Sequence, residues 1–133
     1  MASNRALGGL LIVALVGLVG CATPMYRPAP RVPALGMVEQ ADADFDSALA
    51  LVAELRYDRA AEQFSALAPA FDAAGKRSRA AESLFWMAYC YEKEGRADLA
   101  VEGYGRVSRE YPNTPAAQQA ADRAARLKDR AVP

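Results

Sequence analysis

The chain contains no histidine. That removes the commonest general base and the commonest neutral metal ligand. Only two cysteines are present, at 21 and 90, so there is no cysteine cluster with metal-site spacing, and no run of carboxylates takes its place. The net charge is zero, with 16 basic and 16 acidic residues, which leaves no basic excess to hold nucleic acid and no charged tail. Glycines do not gather into a phosphate-binding loop: Gly103 and Gly105 flank Tyr104 inside a helical pattern with no strand before it. There is no Gly-x-Ser-x-Gly either. These absences exclude the familiar catalytic and cofactor-binding constellations, and the expectation is a protein with no enzymatic activity, cofactor or metal.

The apolar run Leu7–Gly20 has no charge and no polar side chain. It is too short to cross roughly 30 Å of hydrocarbon, which needs about 20 helical residues. It fits the apolar core of a signal peptide, with Arg5 as the one charge before it. The run ends in Leu18-Val19-Gly20-Cys21. That sequence resembles the lipobox of bacterial lipoproteins, in which the cysteine receives the lipid. The resemblance implies cleavage after residue 20, lipidation of Cys21 by a diacylglyceryl thioether, and a firm anchor, since two or more acyl chains hold where one does not. Ala22, where enteric lipoproteins kept at the inner membrane carry Asp, implies an outer-membrane protein facing the periplasm.

Residues 21–38 read as a tether. Pro24, Pro28, Pro30 and Pro33 each fix φ and lack a donor, so neither helix nor sheet runs through them. At about 3.1 Å per residue such a segment holds a domain up to about 50 Å from the lipid. Arg27 and Arg31 either touch anionic headgroups or simply keep the tether soluble.

Residues 39–133 form one small domain, and the pattern from Gln40 to Arg130 is helical throughout: alanine is abundant and strand alternation is missing. Gly75, Gly95, Pro112 and Pro115 interrupt it. The reading is all-α, with five antiparallel helices at about 40–55, 57–73, 77–93, 97–110 and 115–130, the second bent or shortened near Pro69. Cys90, between Tyr89 and Tyr91 in a helical run, reads as a small buried hydrophobe.

Tyr57-Asp58-Arg59-Ala60-Ala61-Glu62-Gln63-Phe64 aligns with Ala97-Asp98-Leu99-Ala100-Val101-Glu102-Gly103-Tyr104, 40 residues on. These segments resemble tetratricopeptide repeats, which are helix–turn–helix units with small and large residues at fixed places. In the second copy, Ala81–Thr114, the small positions are Ala88 and Ala100, the aromatic ones Tyr91 and Tyr104, the turn is Gly95 and the closing residue Pro112. Leu84, Met87 and Val107 depart from the family's usual residues. The first copy, from about Ala41, is degenerate: Ala48, Leu51, Ala60 and Phe64 fit, no glycine marks its turn, and Asp72 stands where proline closes the unit. The ending Glu110–Pro115 is similar to that of envelope lipoproteins in the outer-membrane assembly and Tol-Pal groups.

The resemblance implies a short solenoid whose first helices line a concave face that takes peptides or protein segments. By repeat position that face holds Asp42, Phe45, Leu49 and Val52, then Glu82, Phe85, Tyr89, Glu92 and Lys93, with Gln119 and Arg123 from the last helix. An apolar strip of Phe45, Leu49, Phe85 and Tyr89 beside carboxylates suits a short amphipathic or basic peptide, although Phe85 and Tyr89 fit core and groove equally well. Trp86 is expected against a neighbouring helix or the rim. The last helix carries a small stripe at Ala116, Ala117, Ala120, Ala121, Ala124 and Ala125 and a polar face. It is a cap, with Thr114 and Pro115 at its start, unless the polar face docks a partner or the stripe pairs with another chain. Two functions remain open from the sequence: a membrane-anchored adaptor for an envelope protein or peptide, and a structural lipoprotein that self-assembles as a homo-oligomer.

Overall fold

The computed structural model describes residues 35–131, and the leader, the lipobox with Cys21 and most of the tether lie outside the described residues. Within them are five α-helices and no strand: α1 Leu35–Ala53, α2 Tyr57–Ala73, α3 Arg77–Lys93, α4 Ala97–Glu110 and α5 Pro115–Ala131. Each packs against the next, and α3 also meets α5. The architecture is a short all-α solenoid of the tetratricopeptide type.

Four of the five helices fall where breakers and periodicity put them. The first starts earlier, because Leu35, the second residue after Pro33, already begins a run free of further prolines. The last four residues assigned to the tether, 35–38, are therefore helical. Pro69 does not shorten α2, which continues to Ala73.

Small residues set the helix spacing. Ala60, Ala88 and Ala100 are fully buried. A Cβ added to Gly103 of α4 would lie 2.8 Å from the Cβ of Ala88 on α3, so the two helices already touch at that point. Large side chains then fill what the small ones leave. Phe64 of α2 meets Phe45 of α1 edge-on at 5.3 Å between centroids and stacks with Trp86 of α3 at 6.3 Å. Its repeat equivalent, Tyr104 of α4, packs on Phe85 of α3 at 5.5 Å. Both are fully buried, each contributing about 1.5–3 kcal/mol by the area removed from water. The third aromatic of the pattern, Tyr91, is only half-buried, with the Arg96 guanidinium 4.9 Å from its ring centre. Cys90 is buried, and burial pushes its thiol up to about 12, with Glu94 adding to the shift.

The turns repeat as well. Gly75 and Gly95 have φ of 73° and 75°, and in both turns the next amide reaches back to close the helix end: Lys76 to the Phe71 carbonyl and Arg96 to the Tyr91 carbonyl. The α1–α2 turn, which the sequence left unmarked, has the same geometry, with Arg56 bonded to the Leu51 carbonyl and Leu55 in the left-handed position at φ 61°. Asp72, in place of the first copy's closing proline, has a role of its own: it accepts a hydrogen bond from the Tyr111 hydroxyl. Arg77 lies 5.0 Å over that ring and donates to the Glu110 carbonyl at 2.7 Å. Burial pushes the Tyr111 phenol up to about 12, with the Asp72 bond acting in the same direction. At the start of α5, Thr114 Oγ1 accepts from the Ala117 amide at 3.3 Å and Pro115 takes the first helical position, as expected of a cap.

Leu55 is 70% exposed and held where a side chain costs about 1–2 kcal/mol, so Leu55→Gly raises stability by about 0.5–1 kcal/mol after glycine's extra unfolded freedom is counted. A lower urea midpoint would show that Leu55 earns its position by packing. Gly103→Ala forces α3 and α4 apart and lowers stability by about 1–3 kcal/mol. Gly105→Ala meets only the movable end of Arg109 at 3.1 Å, so the same measurement should show a gain of about 0.5–1 kcal/mol from helix propensity.

Candidate functional site

The first helices α1, α3 and α5 are linked by two groups of side chains, and together these hold most of the residues assigned to the concave face. In the first group, Asp42 of α1 accepts from Lys76 Nζ at 2.8 Å and pairs with Arg79 Nε at 3.2 Å. The Lys76 hydrogen bond is the main cause that holds its carboxyl below the usual range, and Arg79 adds to it. Arg79 also donates to Glu82 at 3.2 Å and lies 4.4 Å from the Phe45 ring centre. One guanidinium therefore joins two carboxylates and covers an aromatic ring.

The second group links α3, α4 and α5. Glu92 accepts from the Tyr104 hydroxyl at 2.7 Å and from Arg123 Nη1 at 3.0 and 3.2 Å. Burial and the Glu92 bond both push the Tyr104 phenol well above its ordinary value. Arg123 lies 5.0 Å from the ring centre of Tyr89 and 5.8 Å from that of Phe85. Lys93 sits 5.1 Å from the Tyr89 ring centre, and Trp86 meets Tyr89 edge-on at 5.2 Å. Next to this cluster is a pocket of about 150 Å³ lined by Glu92, Arg123, Arg126, Leu127 and Arg130.

This geometry changes the expected character of the face. Phe45 is 2% exposed and Phe85 8%, so the apolar strip is reduced to the partly exposed Leu49 and Tyr89. Both buried rings belong to the core, because an arginine from the following first helix closes over each. Val52 is half-buried against the core. Trp86 packs on Phe64 of the neighbouring helix while keeping part of its surface exposed. The carboxylates expected to attract a basic peptide are occupied: Asp42, Glu82 and Glu92 each pair with an arginine of the protein itself. Gln119 is exposed on α5 and belongs to neither group. Arg79 and Tyr104 join these groups, and Arg126 and Arg130 line the pocket, although sequence reasoning assigned none of them to the face. Arg123, Arg126 and Arg130 recur at helical spacing on α5, and that was the readable signal for the last two.

A second concavity of about 720 Å³ lies between α1 and α2, lined among others by Met37, Ala41, Ala66, Leu67 and Ala70. Asp44 is its one charged lining residue, and it holds none of the residues of the concave-face pattern. Among the described residues, no group of His, Cys, Asp and Glu is placed to hold a metal ion, and no helix is long and apolar enough to cross a membrane.

A tetratricopeptide repeat family model matches residues 82–114, which cover most of α3, all of α4 and the turn that follows. Repeats of this kind generally mediate the binding of protein partners, and the match suggests a protein–protein interaction role for this chain. No curated protein and no solved structure matches the chain.

Glu92 is the acceptor on which the second group depends. Glu92→Ala leaves the Tyr104 hydroxyl buried without a partner and lowers stability by about 1–3 kcal/mol. Adding Tyr104→Phe to that variant removes the orphaned hydroxyl and recovers part of the loss in thermal or urea unfolding. If the double variant loses the full sum of two separate penalties, the two groups are not coupled.

Proposed function

We propose that this protein is a lipid-anchored adaptor of the bacterial cell envelope, with no catalysis of its own, that holds a partner protein through the inner face of a short tetratricopeptide-like solenoid. The observation that carries this reading is the repeat match over 82–114, which coincides with the helix pair bearing Tyr89, Glu92 and Lys93. Support for the anchor comes from the sequence: an apolar run of signal-peptide length, the Leu18–Cys21 motif and a proline-rich segment after it. Such a tether places a small domain within tens of ångströms of a bilayer, where an adaptor raises the local concentration of its partner. The outer membrane, with the domain facing the periplasm, is the location that Ala22 favours.

The self-assembling alternative has less behind it. Of its small stripe, Ala116, Ala117, Ala120 and Ala124 are buried against the rest of the chain, and only Ala121 and Ala125 face outward. Sedimentation separates the two readings: the adaptor is a monomer at micromolar concentration.

Labelled palmitate fed to cells expressing the full chain is expected in the protein and absent from Cys21→Ala, which should also leave the membrane fraction. Crosslinking of the intact protein in membranes, followed by mass spectrometry, should recover a defined partner. An unlabelled wild-type chain sinks the anchor, and the absence of any crosslinked partner sinks the adaptor.

A further inference from the structure

The inner face carries more positive charge than the protein neutralises, and the excess is confined to one end. Every carboxylate of the concave-face pattern is paired within the chain. Arg123 is answered by Glu92, but Lys93, Arg126 and Arg130 are in no ion pair among the described residues. Arg126 and Arg130 line the same small pocket as Arg123, with Leu127 as its apolar wall. Beside it, Tyr89 is held between its neighbours: Trp86 edge-on at 5.2 Å, Lys93 at 5.1 Å and Arg123 at 5.0 Å from its ring centre. Trp86 and Tyr89 keep part of their surface exposed.

Three properties of this arrangement suit a ligand. Arg123 is fixed before any ligand arrives, since both its bonds to Glu92 run from Nη1, and its other donors are not engaged there. The aromatic shelf is also held in advance, which lowers the entropic cost of docking on it. Two guanidinium groups one helical turn apart match the fork geometry of carboxylates, which lysines do not. We infer that the Arg126–Arg130 cradle beside Tyr89 docks an acidic segment of a protein partner, with Asp or Glu side chains on the guanidinium groups and an apolar or aromatic residue on Trp86 and Tyr89. This rests on the adaptor reading and gives the partner its chemistry. It reverses the charge expected from the sequence alone, because each carboxylate that would have attracted a basic peptide already pairs with a cation of the protein.

Trp86 is the single tryptophan of the chain and lies on the shelf, so its fluorescence reports occupancy. The full chain in detergent micelles is titrated with a short end-blocked peptide of Glu, Asp and Leu carrying one Phe, and with the same peptide bearing Lys at every acidic position. The acidic peptide is expected to saturate the signal and the Lys peptide to leave it unchanged. Raising salt from about 0.05 M to about 0.5 M weakens the acidic peptide's binding, as expected for exposed charges. The double variant Arg126→Glu/Arg130→Glu, at exposed sites in no ion pair among the described residues, keeps its helix content by circular dichroism and loses about tenfold or more in affinity. Arg126→Gln/Arg130→Gln shows the same direction with a smaller loss. Equal binding of the two peptides, or undiminished binding by the Glu variant, overturns the inference. So does a Trp86 response to phosphatidylglycerol vesicles with none to the acidic peptide, which would assign the cradle to a membrane surface. In membranes, a crosslinked partner that survives Arg126→Glu/Arg130→Glu removes the acidic segment but leaves the adaptor, whereas no partner even for the unaltered chain removes both.

Discussion

The close approach of α3 and α4 at Ala88 and Gly103 is the constraint on which the rest of the structure depends. With no room for one more methyl group between them, the two helices cannot separate or slide without losing contact along their length. Their spacing puts Tyr104 against Phe85 and points its hydroxyl at Glu92. The same design serves the first pair, where buried Ala60 lets α2 bring Phe64 between Phe45 and Trp86. Small residues fix the distance, and the large rings use it: Phe64 reaches Trp86 of the next pair, and Tyr104 binds α4 to α3 through Phe85 and Glu92.

A buried tyrosine hydroxyl needs an acceptor, and this need explains how the acidic residues are used. Tyr104 is fully buried, so an acceptor has to come from a residue that reaches both the core and the surface; Glu92, with its side chain 19% exposed, does so. A carboxylate held there needs a cation in turn, and Arg123 supplies it from α5. Asp72 does the same for Tyr111, with Arg77 laid over the ring. Of the acids that sequence position assigns to a binding face, Asp42 and Glu92 are thereby committed to joining helices, while Glu82 pairs within α3.

Much of the fold was legible because its signals are local. Gly75, Gly95, Pro112 and Pro115 punctuate the chain, and the small-then-aromatic pattern at 60/64 and 100/104 names the buried side of α2 and α4. Leu55 was not legible, since it takes a left-handed turn position with a residue that ordinarily avoids it. The site was harder to read for a physical reason. Asp42–Lys76, Glu92–Arg123 and Tyr111–Asp72 join residues 34, 31 and 39 apart in sequence. No periodicity within one helix reveals such pairs; they arise only once packing has set the helices side by side. Phe45 and Phe85 are core and not exposed face, and sequence position could not show that Arg79 and Arg123 would lie over them.

A net charge of zero conceals an uneven distribution that bears on how the inner face works. All four charged residues of α1 are acidic: Glu39, Asp42, Asp44 and Asp46. In α5, Arg123, Arg126, Lys128 and Arg130 outnumber Asp122 and Asp129, and three of the four cations line one pocket. On the inner face the α1 end is balanced, since Asp42 pairs with Lys76 and Arg79, whereas Arg126 and Arg130 of α5 are in no ion pair among the described residues. Exposed charges separated by more than about 10 Å at 0.1 M salt hardly sense each other, so distant acids do not cancel the cations of α5. Zero net charge therefore says little about the local field, which the cations gathered on α5 set where they stand.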